Sequence, residues 1–334
     1  SLHDALPICQ EFLALQSPQE NELHRSQIAG QALVEVYTAA IAGLLQKTGI
    51  DPAQIAAIGA HGQTIRHQPK SGYSLQLNAP HALVEATGIT VISDFRQRDI
   101  AAGGQGAPLV PVFHASVFNA SRQKGGCIIA NIGGMANLTY LPPPGSEARV
   151  IGFDCGPGNV LMDAWVEAHT GERFDRDGQF AANGQKSDAL LNQLLSHDFF
   201  AQKPPKSCGR EQFNLAWLQE QAAPFNLSPE DVQATLLAFT ARTLADAVRH
   251  YCGPAVELLV CGGGAHNPQL MQALATALPE LQVDTTARYD MNPSIIEAAA
   301  FAWLAQRTLD GLPGNLSAVT GAAGPRILGN ITPA

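Results

Sequence analysis

Segments typical of strands and segments typical of helices alternate along this chain, and the alternation starts twice. Short apolar runs such as 55–65 and 89–95 suit buried strands, and long amphipathic runs such as 26–50 suit helices. The pattern starts again near residue 123, where 125–141 reads as a strand, a Gly-Gly turn and a second strand. Strands that alternate with helices build sheets covered by helices. The sequence therefore predicts an α/β fold with two units.

Residues at the ends of three predicted helices support this interpretation. Gly49 is a typical stop for the helix at 26–50. Ser228 is a good N-cap for a long helix at 228–251, because its hydroxyl can accept a hydrogen bond from a free N–H of the first turn. Pro293 suits the first turn of a helix at 292–309.

Composition and charge exclude several classes of function. The chain has 334 residues, of which 46% are hydrophobic, and a net charge of −9 with no basic run, so we expect no nucleic-acid partner. The six cysteines form no C-x-x-C pair, which indicates reduced thiols of a cytoplasmic protein. We found no apolar run of the roughly 18 residues that a membrane span needs, and no secretory signal. The sequence therefore predicts no membrane partner.

Three predicted strands end in glycine-containing turns: "NIGGMAN", "FDCGPGN" and "VCGGGAHN". Each turn alone is weak evidence, because a Gly-Gly pair between strands is an ordinary hairpin. None of them fits the dinucleotide-binding fingerprint, and the chain contains neither a P-loop motif nor a G-x-S-x-G elbow. Together, turns that permit close approach to the backbone suit a polyphosphate, whose oxygens accept hydrogen bonds from backbone N–H groups.

One carboxylate, Asp154, lies within these turns, in "IGFDCGPGN" at 151–159. Aspartate in a turn often only hydrogen-bonds to nearby backbone N–H groups, and this structural role is one interpretation. The other is a catalytic base at the end of a strand, where glycines let a ligand approach. An acidic residue near a transferring phosphate would act as a proton acceptor or as a magnesium ligand.

Long, ordered motifs resemble the anhydro-N-acetylmuramic acid kinases of the sugar kinase/Hsp70/actin superfamily. The motifs are "AHGQTIRH", "SDFRQRDIAAGGQGAPLVP", "NIGGMANLT", "GFDCGPGNVLMDAW", "PPKSCGREQFN", "CGGGAHNPQLM", "NPSIIEAAAFAWLA" and "NLSAVTGAAGPRILG". The resemblance runs from about residue 20 to the end of the chain. It implies a two-lobed actin-like ATPase fold with ATP in the cleft between a sugar-side lobe, residues 1–122 and 306–334, and a nucleotide-binding lobe, residues 123–305.

The resemblance also implies the reaction. Water attacks the anomeric carbon of 1,6-anhydro-N-acetylmuramic acid, and the freed 6-oxygen takes the γ-phosphoryl group of ATP, with Mg²⁺ as cofactor. The product is N-acetylmuramic acid 6-phosphate, formed in the cytoplasm during recycling of the cell wall. The family further suggests a homodimer.

Individual site residues follow from the same resemblance. Asp154 matches the catalytic base of the family. The nucleotide residues implied are Gly133 and Gly134 for phosphates, and Gly262, Gly263, Gly264 and Asn267 for adenosine. The sugar residues implied are His61, Gln63, Arg96, Asp99 and Glu297; Arg suits a carboxylate because its guanidinium can donate two parallel hydrogen bonds. His61 could equally be a turn residue and Glu297 a surface residue. Asp163 is either a magnesium-assisting carboxylate or a capping or exposed residue, and no residue is assigned as a metal ligand.

The chain also departs from the family pattern. The "GTS-x-DG" hairpin that opens the family is missing, and "SLHDALPI" resembles nothing in it, so we expect a foreign leader within residues 1–9. Cys155 and Cys208 stand where the family pattern has Thr, so hydrogen bonding at these positions differs. Two alternatives stay open: a member of the fold that binds sugar or nucleotide with impaired catalysis, and a kinase of an ordinary hexose.

Overall fold

The computed structural model describes residues 6–18, 20–119, 123 and 125–334. Residues 1–5 of the expected foreign leader lie outside the described residues. The chain divides into two compact units, unit 1 with Ser1–Phe113 and Ala298–Ala334, and unit 2 with His114–Glu297. The divisions fall somewhat earlier in the chain than the predicted boundaries at 122 and 305.

Strands and helices alternate along the described chain, as the sequence predicts. The strands are β1 Ile58–Gly59, β2 Gln63–Gln68, β3 Tyr73–Leu77, β4 Val91–Ser93, β5 Cys127–Ile132, β6 Met135–Leu141, β7 Ile151–Pro157, β8 Glu257–Cys261, β9 Gln282–Thr285 and β10 Asn330–Thr332. The α-helices are α1 Leu6–Ala14, α2 Glu22–Thr48, α3 Pro80–Thr87, α4 Gln97–Ala101, α5 Val110–Val117, α6 Val160–Thr170, α7 Gln179–Ala182, α8 Asp188–Leu195, α9 Leu215–Ala222, α10 Pro229–Tyr251, α11 Pro268–Ala277, α12 Ile296–Leu309 and α13 Ser317–Thr320.

The predicted helix ends are confirmed at two positions. Gly49 follows α2 with a φ of 69°, in the left-handed region where glycine has no steric penalty. The side chain of Ser228 accepts a hydrogen bond from the N–H of Asp231 at the start of α10. Pro293 lies instead in a short 3₁₀ turn, Pro293–Ile295, that precedes α12.

Unit 1 contains a three-stranded sheet in the order β1-β4-β10 and a separate hairpin of β2 and β3. Strand β4 pairs parallel with β1 and antiparallel with β10. Helix α12 packs on this sheet through a buried cluster that includes Ile92, Phe95, Phe301, Leu304 and Leu328. Burial of these apolar side chains removes them from water and supplies most of the stability of the unit.

Unit 2 is built on a five-stranded mixed sheet in the order β7-β6-β5-β8-β9. The first three strands are antiparallel, whereas β8 pairs parallel with both β5 and β9. All residues of the interior strand β8 are buried, which explains its apolar sequence. Helix α10 covers the sheet with an apolar face, and one core cluster joins the two elements.

Helix α2 corrects one expectation from the sequence. Among the described residues, it is the one helix long and apolar enough to cross a membrane, with 27 residues and a mean hydropathy of 1.6 over its most apolar window. Exposed side chains on it include Leu23, Ile28 and Leu44. The expectation that no segment reaches this length and apolarity is therefore wrong. A single such helix is weak evidence for a membrane span.

Gly59 gives a testable consequence of the packing in unit 1. A Cβ built at Gly59 would lie 2.3 Å from the carbonyl oxygen of Phe301, so strand β1 could not keep its distance from α12. We expect Gly59→Ala to destabilise the protein by about 1–3 kcal/mol, as overpacking does. Urea unfolding with Gly43→Ala as the control measures this effect.

Gly43 is the matched control because it lies inside α2 with nothing within 4 Å of a built Cβ. Gly43→Ala should stabilise the helix by about 0.5–1 kcal/mol, since alanine has the higher helix propensity. Equal effects of the two substitutions would contradict the packing argument.

Candidate active site

The Gly-Gly hairpin between β5 and β6 is tied to the loop that follows β7. The N–H of Asn159 donates to the carbonyl of Gly133 over 2.8 Å, and the N–H of Gly158 donates to the carbonyl of Gly134 over 2.8 Å. The Asn159 side chain donates in turn to the carbonyl of Ile132 over 3.1 Å. A Cβ at Gly158 would lie 2.4 Å from the oxygen of Gly133, so only glycine allows this approach.

The glycine turn after β8 reaches the same hairpin. Gly262 has a φ of +79°, and a Cβ there would lie 2.5 Å from Asn131 Oδ1 and 2.7 Å from the carbonyl oxygen of Ile132. A Cβ at Gly264 would lie 2.5 Å from the Ile132 side chain. The structure thus brings together the following predicted nucleotide residues: Gly133, Gly134, Gly262, Gly263 and Gly264.

The Gly133–Gly134 hairpin has room and donors for an anion. A built Cβ meets nothing nearer than 3.7 Å at Gly133 and 3.6 Å at Gly134. No hydrogen bond among the described residues uses the backbone N–H of either glycine. Free N–H groups on a backbone without side chains suit phosphate oxygens.

Asn267, the sixth predicted nucleotide residue, caps helix α11. Its side-chain oxygen accepts hydrogen bonds from the N–H groups of Gln269 and Leu270, each over 3.1 Å. The cap holds the glycine turn against the start of the helix. A contact of Asn267 with adenosine stays a prediction.

Asp154 lies on β7 opposite Asn137 of β6, beside an irregularity in the pairing of these strands. Its N–H donates to the carbonyl of Lys206 over 3.2 Å, and its Oδ2 accepts the N–H of Cys208 over 3.1 Å. Burial raises the pKa of Asp154 to about 6, and the hydrogen bond from Cys208 lowers it in part. A carboxyl group with such a pKa can take up a proton near neutral pH.

The segment at 203–210 overlaps the family motif "PPKSCGREQFN", but its contact with Asp154 was not predicted from the sequence. Its polar, proline-containing sequence is typical of a surface insertion, yet Lys206 and Cys208 bond to Asp154 through their backbones. The Lys206 ammonium donates to the carbonyl of Phe199 over 3.2 Å and lies 4.4 Å from the centre of that ring. Backbone contacts of this kind do not depend on side-chain type, so the pattern of residues does not predict them.

Asp163 lies in the first turn of α6 and is half-buried. Burial raises its pKa to about 6, while the positive charge of Arg210 lowers it in part. Among the described residues, no group of three or more His, Cys, Asp or Glu side chains could hold a metal ion. The negative charges of Glu167 and Asp175 also raise the pKa of Asp163.

The two cysteines that depart from the family pattern are packed against protein atoms. Cys155 is buried, and its Sγ lies 4.0 Å from the carbonyl oxygen of Phe153. Cys208 Sγ lies 3.7 Å from the sulfur of Met135. Burial raises the pKa of both thiols above the usual range, so neither forms a thiolate near neutral pH.

Glu297 is exposed in the first turn of α12. The pKa of Cys261, at the end of β8, is raised to about 12, mainly by burial and in part by the negative charge of Glu297. The Glu297 carboxylate is therefore close to the end of β8. The N–H of Gly262 also donates to the carbonyl of Pro293 over 3.0 Å. The structure therefore places Glu297 near the glycine turn of unit 2.

Arg96 and His61 form a pair in unit 1. Arg96 donates from Nε over 3.1 Å to Nε2 of His61, and from Nη1 over 2.7 Å to the carbonyl of Gly106. Burial and the charge of Arg96 lower the pKa of His61 to about 3. The imidazole is therefore neutral, with its Nδ1 proton toward the carbonyl of Gly62 at 2.7 Å.

Asp99 is fully buried and has a structural role in unit 1. Its carboxylate accepts hydrogen bonds from Asn315 Nδ2 at 2.6 Å, Thr320 Oγ1 at 2.7 Å and the N–H of Gly106 at 2.8 Å. Gly106 connects Asp99 with Arg96, because the carbonyl of Gly106 accepts a hydrogen bond from Arg96. Gln63, on β2, donates to the carbonyl of Thr64 over 3.4 Å and makes no hydrogen bond to the His61–Arg96 pair among the described residues.

An α/β unit with bare glycine turns beside a carboxyl group of raised pKa suits a phosphotransferase. The chain matches the family model for anhydro-N-acetylmuramic acid kinase over residues 4–334 and belongs to this family. It is therefore an enzyme of the kinase class. The match, together with the two α/β units, confirms the predicted actin-like ATPase fold class.

Relatives from several bacteria support the assignment. The chain is 54% identical over 326 residues to an anhydro-N-acetylmuramic acid kinase from Thiobacillus denitrificans, covering 97% of this chain and 86% of that protein. It is 53% identical to the protein of the same description from Ralstonia nicotianae, covering 97% and 87%. The corresponding protein of Pseudomonas syringae is 50% identical, with 97% and 88% covered.

Solved structures resemble the chain more distantly. Component A of (R)-2-hydroxyglutaryl-CoA dehydratase from Acidaminococcus fermentans is 16% identical, covers 67% of this chain and 82% of its own, and gives a TM-score of 0.39. Xylulose kinase from Rhodospirillum rubrum is 14% identical, with 78% and 52% covered and a TM-score of 0.36. Both TM-scores are too low to support an argument.

The raised pKa of Asp154 predicts a pH-dependent effect of Asp154→Asn on stability. The folded state binds the proton more tightly than the unfolded chain, so wild-type stability falls as the pH rises from about 4 to about 6. The amide has no charge to desolvate and can still accept the bond from Cys208. We expect the variant to match the wild type near pH 4 and to exceed it by roughly 2 kcal/mol at pH 7.

Chemical unfolding between pH 4 and pH 7 measures this difference. Asp188→Asn, on an exposed side chain of the same unit, controls for the loss of one negative charge. A stability gain of Asp154→Asn that does not change with pH would contradict a raised pKa.

Proposed function

We propose that this protein uses ATP and water to convert 1,6-anhydro-N-acetylmuramic acid into N-acetylmuramic acid 6-phosphate. The observation that carries the proposal is the position of Asp154. Its carboxyl group has a pKa of about 6 and is held by the N–H of Cys208 in the unit that contains the glycine turns. Members of the family, including the relatives above, are described as kinases of this sugar.

In the proposed reaction, Asp154 takes a proton from the water that attacks the anomeric carbon. The bond between that carbon and the 6-oxygen breaks, and the 6-oxygen attacks the γ-phosphorus of ATP. The bond between the γ-phosphorus and the oxygen that bridges it to the β-phosphorus then breaks, and ADP leaves. The proton passes from Asp154 to solvent. A positioned general base contributes about 10²–10⁴-fold, and the phosphoryl step depends mainly on positioning and on stabilisation of charge.

The glycine turns of unit 2 are proposed to hold the nucleotide. The unused N–H groups of Gly133 and Gly134 would donate to phosphate oxygens, and the turn at 262–264 with Asn267 would contact adenosine. Mg²⁺ bound to ATP neutralises charge on the phosphate oxygens. The resemblance implies Mg²⁺ as the cofactor, and we propose that it enters with the nucleotide.

Four residues are proposed to contact the sugar: Arg96, His61, Gln63 and Glu297. Arg96 suits the lactyl carboxylate, because the neutral His61 and the carbonyl of Gly106 fix the plane of its guanidinium. Asp99 is fully buried, so we propose that it positions Arg96 through Gly106 rather than touching the sugar.

We place this activity in the recycling of cell-wall fragments in the cytoplasm, and we propose that the protein is a homodimer. Both statements rest on the family resemblance. The substrate is a small molecule whose anhydro bridge marks it as a fragment of peptidoglycan.

Release of ADP with Mg²⁺, ATP and 1,6-anhydro-N-acetylmuramic acid tests the proposed reaction. We expect turnover by the wild type and a loss of about 10²–10⁴-fold in kcat for Asp154→Asn. Because the base must be ionised, kcat/KM should rise with pH and level off above an apparent pKa near 6.

Asp163→Asn is the matched control, since the pKa of Asp163 is also raised to about 6. It should keep the rise of kcat/KM near pH 6, whereas Asp154→Asn should not. Binding of the sugar and ATP by the wild type without release of ADP would favour the alternative of a binding protein with impaired catalysis. Turnover of an ordinary hexose instead of the anhydro sugar would favour the hexose kinase.

The role of Arg96 is tested by comparing two sugars. Arg96→Lys keeps the charge but loses the planar fork, so KM for 1,6-anhydro-N-acetylmuramic acid should rise at least about tenfold. KM for 1,6-anhydro-N-acetylglucosamine, which lacks the lactyl carboxylate, should be the same in both proteins. Equal increases for the two sugars would show that Arg96 does not recognise the carboxylate.

A further inference from the structure

Arg210 lies beside the glycine hairpin of unit 2, at the end of the segment that holds Asp154. A Cβ built at Gly134 would be 3.6 Å from Nη2 of Arg210, so the guanidinium borders the space above that glycine. Its charge also lowers the pKa of Asp163, in the first turn of α6. The distance to Gly134 places the guanidinium at the hairpin, and its effect on Asp163 places it within electrostatic range of that carboxylate.

The backbone on both sides of Arg210 is anchored. On one side, the N–H of Cys208 donates to Asp154 over 3.1 Å. On the other, Phe213 is fully buried, and its N–H donates to the carbonyl of Gly209 over 3.2 Å. Arg210 is therefore held at a defined position relative to the carboxyl group of Asp154 and does not extend from a long free loop.

The N–H groups of the Arg210 guanidinium are available to bind a ligand. Arg210 is exposed, and its guanidinium makes no hydrogen bond or ion pair within the described part of the chain. Other arginines of unit 2 pair with carboxylates: Arg242 with Asp246 of the same helix, and Arg288 with Asp284 of β9. A planar group with five N–H donors beside free backbone N–H groups is suited to phosphate oxygens.

We propose that Arg210 binds the terminal phosphoryl group of the nucleotide and stabilises the charge that develops on it during transfer. The inference rests on the proposed function and adds a catalytic residue to it. The hairpin N–H groups and Arg210 would contact the same phosphoryl group, while Asp154, which lies on β7 and is held by the segment that carries Arg210, activates the water. Because the phosphoryl oxygens carry the charge in the transition state, a guanidinium there lowers the barrier.

Steady-state kinetics of Arg210→Ala tests the catalytic role. We expect kcat to fall at least about 10²-fold, with KM for the sugar within about twofold of the wild type. Arg210→Lys should recover part of the loss, because it restores charge without the fork. Guanidinium ion added at a non-denaturing concentration should raise the rate of Arg210→Ala and leave the wild type unchanged. A structural role would show no such rescue.

Arg242→Ala is the matched control, because Arg242 is an exposed arginine of unit 2 paired with Asp246 inside helix α10. It should keep the kcat of the wild type. If the wild type turns over the anhydro sugar and Arg210→Ala has the same kcat, the inference about Arg210 is overturned. The proposed function is then unaffected.

Calorimetry measures binding rather than turnover, so it tests the role of Arg210 separately from the proposed reaction. For Arg210→Ala, affinity for the β,γ-imido analogue of ATP should fall about tenfold or more, while affinity for ADP stays within about twofold. Equal affinities of variant and wild type for the analogue would overturn the role of Arg210. A wild type that binds the analogue but releases no ADP with the anhydro sugar would instead count against the proposed reaction.

Discussion

The close approach of three backbone turns around Ile132 is the constraint on which the site of unit 2 depends. The β5–β6 hairpin, the loop after β7 and the turn after β8 come together at distances that only glycine permits at Gly158, Gly262 and Gly264. The side chain of Asn159 ties the loop after β7 to the carbonyl of Ile132. Since the sheet fixes where each strand ends, the N–H groups of the hairpin are oriented before any ligand binds, and binding loses less conformational entropy.

The carboxyl group of Asp154 shows a balance of two opposing effects. Removal from water favours its neutral form, and the N–H of Cys208 favours the charged form. Full burial without a donor would keep the group protonated at neutral pH, and several donors would make it too weak a base. One backbone donor from the segment at 203–210 leaves the pKa near 6, close to the range in which a general base is effective.

The polar groups of unit 1 are fixed in a different way. Asp99 is fully buried, and three hydrogen bonds compensate for its desolvation. One of them holds Gly106, whose carbonyl accepts a hydrogen bond from Arg96. Because His61 is neutral, it accepts from the guanidinium instead of repelling it. Buried polar networks that are satisfied throughout are rigid, and rigidity lets a long side chain present its donors in one plane.

Much of the fold follows from local sequence patterns. Local features include the apolar run of β8, the cap at Ser228 and the stop at Gly49. Each can be recognised from neighbouring residues in the sequence alone. The glycines of the hairpin and of the turn after β8 predicted a phosphate site from the sequence, because several turns that permit close approach to the backbone suit phosphate oxygens. The exposed apolar face of α2 was missed, since its apolar residues are spread over a long helix instead of forming one unbroken run.

The sequence by itself determined the α/β class and the family, because these depend on residue types and on short spacings, and through the family resemblance it predicted Asp154 as the catalytic base. Only the tertiary structure decided that Cys208 holds Asp154, that Asp99 is an internal support and that Arg210 borders Gly134. These contacts join residues far apart in the chain, or use backbone atoms that every residue has. Their strength depends on distance and burial, and neither quantity exists until the chain has folded.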